Sequence, residues 1–126
     1  RLKDNDGLIF NIALNYGGRD EILKSVRALT AECIEQGRDP EELTEDDISR
    51  FLYSGSAHFD VPDPDLIIRT SGEERMSNFL TWQGAYSELM FTDTLWPDFT
   101  PEEYAEMIDA YANRDRRFGG RKENDK

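Results

Sequence analysis

The sequence feature that most constrains the fold is a short apolar run that ends in a polar turn. Leu66, Ile67 and Ile68 follow one another directly, and Arg69 begins the polar residues after them. A short, continuous apolar run that contains β-branched residues predicts a buried strand. Open α/β sheets bind their ligands where a strand runs into such a turn. The run therefore predicts an α/β sheet with a ligand site near Arg69.

The polar turn carries two arginines that suit a polyanion. Arg69 and Arg75 lie on either side of Gly72, and Ser77 follows them. Guanidinium groups bind phosphate oxygens in pairs, and a glycine lets the backbone approach a ligand closely. We therefore expect a phosphate or diphosphate. The alternative is a solvated turn in which both arginines pair with nearby carboxylates. Those carboxylates are Asp65, Glu73 and Glu74.

Two other apolar runs are expected to add strands. Residues 8–14 are apolar at nearly every position, which predicts a strand covered on both faces of a parallel sheet. Residues 89–91 predict a further strand, after a segment at 78–87 that is expected to be helical. The alternation of strands and helices favours a mostly parallel sheet with flanking helices. The first strand has no preceding partner, so we expect an absent N-terminal half or another chain to cover its edge.

Three further helices are predicted from periodicity and capping residues. Residues 20–36 carry an amphipathic pattern that Gly37 ends, and the pair Gly17 and Gly18 allows a tight turn before it. The pattern places on one face Ile22, Val26, Leu29 and Cys33. A second helix is expected to start at Thr44 and end near residue 54. A third should start with Thr100 as its cap, Pro101 in first position and Glu103 completing a capping box.

Charge and composition exclude several classes of protein. The 126 residues carry a net charge of -12, whereas a general nucleic-acid surface needs clustered basic residues. No apolar run reaches the length of a membrane span, and no cleavable signal stands at the start, so we expect a cytoplasmic protein. The only cysteine, Cys33, is expected to be a small core residue.

Three motifs stand out along the chain. They are NYGGRDE at residues 15–21, DPDLIIRTSGEERMSNF at residues 63–79 and WQGAYSE at residues 82–88. With further similarity at 96–99 and 114–120, they resemble the motifs of the cis-prenyltransferase family, and most closely those of undecaprenyl diphosphate synthases. The resemblance implies the cis condensation of isopentenyl diphosphate onto an allylic diphosphate, with farnesyl diphosphate as the expected starter. The expected product is a long-chain polyprenyl diphosphate, undecaprenyl diphosphate. Magnesium (Mg2+), a homodimer and an apolar product tunnel are also implied.

The resemblance also assigns roles to individual residues. Those that it implies for substrate binding are Arg69, Arg75, Met76, Ser77, Arg117 and Gly119, and the magnesium ligand that it implies is Glu88. Arg117 and Gly119 match an element that reaches the diphosphate of the neighbouring subunit. On the sequence alone, Arg117 can equally complement a helix end, and Glu88 can be an exposed carboxylate. Arg19 is expected to stabilise the turn, with a place in the site wall as the alternative, and His58 is expected to be structural or solvated.

The chain departs from the family pattern in one large respect. The family carries an N-terminal motif of the form Asp-Gly-Asn-x-Arg, whose aspartate serves magnesium and the allylic diphosphate, and no such stretch occurs here. Residues 1–120 therefore resemble the C-terminal half of a single cis-prenyltransferase domain, followed by a charged tail at 121–126 that is expected to be disordered. No catalytic residue is expected in the chain, and its unaided turnover is not expected. The competing hypothesis is a non-catalytic binding or dimerisation subunit. A lipid product could bring the enzyme to the membrane periphery.

Overall fold

Helices and strands alternate in the part of the chain that the computed structural model describes, residues 7–55 and 61–114. The helices are α1 (Gly18–Gln36), α2 (Glu45–Phe51) and α3 (Pro101–Ala112), and the strands are β1 (Leu66–Arg69) and β2 (Glu88–Phe91). Short 3-10 helices at Pro40–Glu42 and Trp96–Asp98 precede α2 and α3. None of the described helices is both long and apolar enough to cross a membrane.

The strands β1 and β2 pair in parallel, which confirms the predicted α/β class with a parallel sheet. Leu66 lies opposite Glu88, and Arg69 lies opposite Phe91. The pairing continues beyond the strands, because the N–H of Gly72 donates to the carbonyl oxygen of Thr92 at 2.9 Å. The polar turn after Arg69 is therefore fastened to the segment that follows β2.

The prediction of a strand at residues 8–14 was wrong. The segment has no strand structure, and its apolar side chains face solvent, with Leu8 and Leu14 each 82% exposed and Phe10 79% exposed. A strand requires hydrogen bonds to a neighbouring backbone. Within the described residues, no strand lies beside this segment to supply them.

The helix expected at residues 78–87 is also absent, and turns take its place. Ser77, Asn78 and Leu80 have φ angles of 46°, 66° and 44°. These left-handed values are incompatible with a right-handed helix. The backbone is held in this shape partly by α1, since the N–H of Gly18 donates to the carbonyl oxygen of Asn78 at 2.7 Å.

Helix α1 has the predicted extent but a different buried face. Gly37 ends it in the left-handed conformation, as expected. Its buried side chains are Glu21, Ser25, Leu29 and Cys33, whereas Val26 is exposed. A polar pair takes the inward positions because the hydroxyl of Ser25 donates to the carbonyl oxygen of Phe51 and Glu21 accepts from three neighbours.

The remaining helix boundaries follow the predicted caps with two corrections. Helix α2 begins after Thr44 but ends at Phe51, before the predicted position near residue 54. Helix α3 begins after Thr100, whose hydroxyl accepts from the N–H of Glu103 at 3.1 Å. The carboxylate of Glu103 does not complete the expected capping box, because it accepts from the hydroxyl of Thr92. Within residues 7–55 and 61–114, the buried apolar side chains form a small core of Leu29, Cys33, Leu52, Ile67 and Met107.

Candidate functional site

A cavity of about 360 Å³ lies at the carboxyl end of β1. Its volume falls within the range of small-molecule sites. Two of the predicted substrate-binding residues, Arg69 and Met76, line it. The full lining consists of Ile67, Ile68, Arg69, Thr70, Ser71, Glu73, Met76 and Phe79. The cavity therefore combines a cationic residue, a carboxylate residue and two hydroxyl residues with apolar walls.

Arg69 is held at this cavity by the last position of β1. Its carbonyl oxygen accepts from the N–H of Thr92 at 3.0 Å, which fixes its backbone. Among the described residues, no carboxylate lies within ion-pair distance of its guanidinium group, which is partly buried. An arginine that lines a cavity without a carboxylate partner is suited to bind an anionic ligand.

Arg75, unlike Arg69, has a carboxylate partner among the described residues and is largely exposed. Its guanidinium forms an ion pair with Glu73, and its side chain is 67% exposed. The predicted alternative, an arginine paired within a solvated turn, therefore describes Arg75 but not Arg69. Glu73 also lines the cavity, so its carboxylate adds negative charge beside Arg69. An anionic ligand would have to compete with Glu73 for Arg75.

Ser77 and Gly72 lie in the same turn without lining the cavity. Ser77 is exposed and has a left-handed backbone. Gly72 has a φ of 67°, and a Cβ atom there would lie 3.0 Å from a carboxylate oxygen of Asp93. The backbone of Gly72 was expected to approach a ligand closely, but in the structure it approaches the carboxylate of Asp93.

Glu88 lies at the other end of the sheet. It pairs with Leu66 at the amino end of β1, whereas Arg69 is at the carboxyl end, and a strand of this length separates the two backbones by about 10 Å. Its carboxylate forms an ion pair with Arg114 at 2.7 Å. Across residues 7–55 and 61–114, no three acidic, histidine or cysteine side chains form a metal-binding group. Glu88 can supply one oxygen ligand to magnesium, but the described residues do not form a complete site.

Three of the residues named from the sequence lie outside the described ranges. They are His58, Arg117 and Gly119. Arg19 is described, and its N–H donates to the side-chain oxygen of Asn78 at 2.8 Å, in keeping with a structural role for that position.

A buried polar cluster behind the turn was not predicted. Glu21 is 1% exposed, and its carboxylate accepts from the hydroxyl of Tyr16, the N–H of Tyr53 at 2.8 Å and the amide of Gln83 at 3.1 Å. Burial, together with the hydrogen bond to Glu21, raises the pKa of Tyr16. The sequence alone places Glu21 at the start of a predicted helix, where a carboxylate suits the helix dipole. Only distant partners reveal that it joins α1 to the segments around Tyr53 and Gln83.

The chain is similar in sequence to known prenyltransferases. The prenyltransferase family model for undecaprenyl diphosphate synthase matches residues 1–119. An isoprenyl transferase of Streptococcus pneumoniae is 54% identical over 118 residues, which are 94% of this chain and 47% of that protein. An isoprenyl transferase of Rhizobium meliloti is 53% identical over 116 residues, 92% of this chain and 45% of that protein. The chain thus spans about half the length of the curated relatives it matches.

Solved structures show the same similarity in three dimensions. A lavandulyl diphosphate synthase from Lavandula x intermedia, in complex with dimethylallyl diphosphate, superposes with a TM-score of 0.72 and 35% identity. The match covers 85% of this chain and 44% of that one. A structure described as an undecaprenyl diphosphate synthase from Campylobacter jejuni also gives a TM-score of 0.72 at 35% identity, over 90% of this chain and 49% of that one.

Proposed function

Because the chain belongs to the undecaprenyl diphosphate synthase family of prenyltransferases, we propose that it supplies the isopentenyl diphosphate site of a cis-prenyltransferase. The complete enzyme would join isopentenyl diphosphate to an allylic diphosphate with cis geometry and release diphosphate. The observation that carries the proposal is Arg69, whose guanidinium lines a cavity of about 360 Å³ with no carboxylate partner among the described residues.

The two kinds of cavity wall match the two parts of the substrate. A diphosphate near Arg69 can accept charge-assisted hydrogen bonds from its guanidinium and further bonds from the hydroxyls of Thr70 and Ser71. The isopentenyl chain then lies against apolar side chains such as Ile67 and Phe79. Arg75 shares its guanidinium with Glu73, so this ion pair reduces the contribution of Arg75 to the affinity for a diphosphate.

We propose that magnesium binds to this chain at the carboxylate of Glu88. A carboxylate oxygen is a ligand that magnesium prefers, and magnesium is often held by one or two carboxylates together with substrate phosphates. When bound, the ion would neutralise charge on a departing diphosphate. Arg114 holds one of the two carboxylate oxygens of Glu88 at 2.7 Å, and its positive charge opposes a cation there. The aspartate that would complete such a site is expected from the N-terminal motif that this sequence lacks.

The proposal extends to the protein in which this half operates. Residues 1–120 would be the C-terminal half of the prenyltransferase domain, assembled with an N-terminal half and paired as a homodimer. Farnesyl diphosphate is the proposed starter and undecaprenyl diphosphate the proposed product. We place the enzyme in the cytoplasm, with its lipid product bringing it to the membrane periphery.

Calorimetric titration of isopentenyl diphosphate into the 126-residue chain tests the proposed site. Arg69→Lys should weaken binding about tenfold to a hundred-and-fifty-fold, since one ammonium group cannot replace a paired charge-assisted contact of about 1.5–3 kcal/mol. Arg27→Lys is the matched control, because Arg27 is an exposed arginine of α1 that does not line the cavity. Binding that is absent in the unmodified chain, or equal in Arg69→Lys and Arg27→Lys, would contradict the assignment.

A non-catalytic dimerisation subunit is the second candidate. It is favoured by the ion pair between Glu88 and Arg114, which occupies the proposed magnesium ligand. The two candidate functions predict different outcomes when the two halves of the enzyme are mixed. Mixing this chain with the separately made N-terminal half of a relative should give magnesium-dependent product if the chain is catalytic, whereas a subunit of the second kind would bind that half without any turnover.

A further inference from the structure

Helix α1 obtains its capping hydrogen bonds from a residue far away in the sequence. The residue before the helix, Gly17, has no side chain to cap it. Asn78 supplies both acceptors: its carbonyl oxygen accepts from the N–H of Gly18 at 2.7 Å, and its side-chain oxygen accepts from the N–H of Arg19 at 2.8 Å. Two of the N–H groups that a helix start leaves unpaired are thereby satisfied.

The glycines at the start of α1 make room for this contact. A Cβ atom on Gly18 would lie 2.5 Å from the hydroxyl oxygen of Thr81 and 2.9 Å from its backbone nitrogen, and one on Gly17 would lie 2.9 Å from the side-chain nitrogen of Asn78. Gly17 itself has a φ of -152°, which any residue adopts. The pair is therefore required by close packing against residues 78–81, whereas the sequence had indicated only that it allows a tight turn.

Asn78 lies within the most constrained backbone around the site. Ser77 and Leu80 adopt left-handed φ angles that residues with a side chain rarely populate, and such conformations persist only where surrounding contacts hold them. Asn78 tolerates that conformation and is the member of this segment that is fastened to α1. Two residues before it is Met76, which lines the cavity, and three before it is Arg75.

We propose that Asn78 is a positioning residue for substrate binding: by fastening the turn at residues 75–77 to the start of α1, it holds Met76 at the cavity and Arg75 and Ser77 in the turn beside it. Asn78 does not line the cavity, so it acts through the turn and not by touching the ligand. This inference rests on the proposed isopentenyl diphosphate site and adds to it a residue that neither the diphosphate nor the isopentenyl chain contacts.

Two substitutions separate the side-chain contact from the backbone conformation. Asn78→Gly keeps the left-handed backbone and the carbonyl acceptor for Gly18, but removes the acceptor for Arg19. Asn78→Asp keeps both acceptors, and its charge suits a helix start. Thr100→Ala is the matched control, because it removes one side-chain acceptor from the start of α3, remote in sequence from the arginine turn.

Calorimetry with isopentenyl diphosphate and with inorganic diphosphate is done on each chain at about 0.15 M salt, where charges beyond about 8 Å are screened. Asn78→Gly should bind both ligands about three- to tenfold more weakly, because in a fraction of the molecules the turn at residues 75–77 is no longer held in its binding conformation. Asn78→Asp should bind within about twofold of the unmodified chain. Thr100→Ala should lower the unfolding midpoint about as much as Asn78→Gly and leave both affinities unchanged.

Amide hydrogen exchange gives a readout that does not depend on the ligand. The N–H of Arg19 should be protected in the unmodified chain and in Asn78→Asp, and should exchange faster in Asn78→Gly. Equal affinities in Asn78→Gly and Thr100→Ala, or an Arg19 amide that exchanges alike in every variant, would overturn the positioning role while the proposed site stands. A chain that binds neither ligand at all would refute the proposed site and this inference with it.

Discussion

Glu88 accepts a hydrogen bond from Arg114, with 2.7 Å between Oε2 and Nη1. The pair joins the start of β2 to the residues just after α3, and both side chains are partly exposed. The guanidinium takes one oxygen of this carboxylate, and its positive charge repels a magnesium ion bound to the same group, so the ion pair opposes metal binding. The proposed metal ligand is thus held by a cation of this chain.

Removing that competitor should strengthen magnesium binding. Arg114→Gln is expected to raise the magnesium affinity of the chain with isopentenyl diphosphate by about two- to fivefold, the range of a partly exposed ion pair. Titration calorimetry with magnesium chloride measures it. Arg114→Gln should leave the magnesium affinity unchanged when it is added to the Glu88→Gln variant. An equal gain in affinity in that variant would show that the effect of Arg114 does not depend on the Glu88 carboxylate.

Glu73 should oppose the binding of an anionic ligand. It pairs with Arg75 and lines the cavity beside Arg69, so Glu73→Gln removes a negative charge and frees a guanidinium. Affinity for isopentenyl diphosphate should rise about two- to fivefold, and the gain should shrink as salt is raised. Glu74→Gln is the control, since Glu74 is a neighbouring exposed carboxylate that does not line the cavity. A loss of affinity in Glu73→Gln would mean that Glu73 orients Arg75 for binding.

The exposed apolar segment at residues 8–14 should drive association. Contiguous apolar surface of this kind is uncommon on monomers, so the chain should be dimeric or larger at micromolar concentration by light scattering. Replacing Phe10 and Leu14 together by serine should shift the distribution towards the monomer. Ile34→Ser serves as the control, because Ile34 is 78% exposed but lies on α1, outside this segment. A sharp monomeric peak of the unmodified chain with cooperative unfolding would contradict the prediction.

The buried carboxylate of Glu21 should make a large contribution to stability. Glu21→Leu removes the carboxylate that accepts from the N–H of Tyr53 and the amide of Gln83 in the interior, which should reduce the free energy of unfolding by about 2–4 kcal/mol. Tyr16→Phe removes one donor only and should cost about 1 kcal/mol. Urea denaturation measures both. Similar costs for the two substitutions would show that the backbone of Tyr53 and the amide of Gln83 do not depend on Glu21.

Stability should fall in acid partly through Asp47. The guanidinium of Arg38 donates to both carboxylate oxygens at 2.7 and 2.8 Å, and this contact, with further donors from Thr44, lowers the pKa of Asp47. A lowered folded pKa gives stability that is present above the unfolded pKa, about 3.9, and is lost as the pH falls towards the folded value. The melting temperature of Asp47→Asn should therefore lie below that of the unmodified chain at pH 7, with the gap narrowing below about pH 4. Asp46→Asn should show no such narrowing, since Asp46 is exposed.

Local sequence determined those elements whose signals lie within a few residues. The starts of α2 and α3 follow from Thr44 and Thr100, because a capping hydroxyl and an acidic first turn act within one helical turn. Gly37 ends α1 for the same kind of local reason. The strand before Arg69, and its cavity, follow from an apolar run that passes into a polar turn.

Tertiary structure decided everything that depends on a distant partner. Residues 8–14 carry the pattern of a strand but form none in the described structure, because pairing depends on a neighbouring backbone that local sequence does not supply. Residues 78–87 form turns and not a helix, in a backbone that the start of α1 fastens through Asn78. Glu21 faces inward for the same reason, since two of its three hydrogen-bond donors come from residues 32 and 62 positions away. Hydrogen bonds between remote segments leave no periodic trace in the sequence, so only the folded chain reveals them.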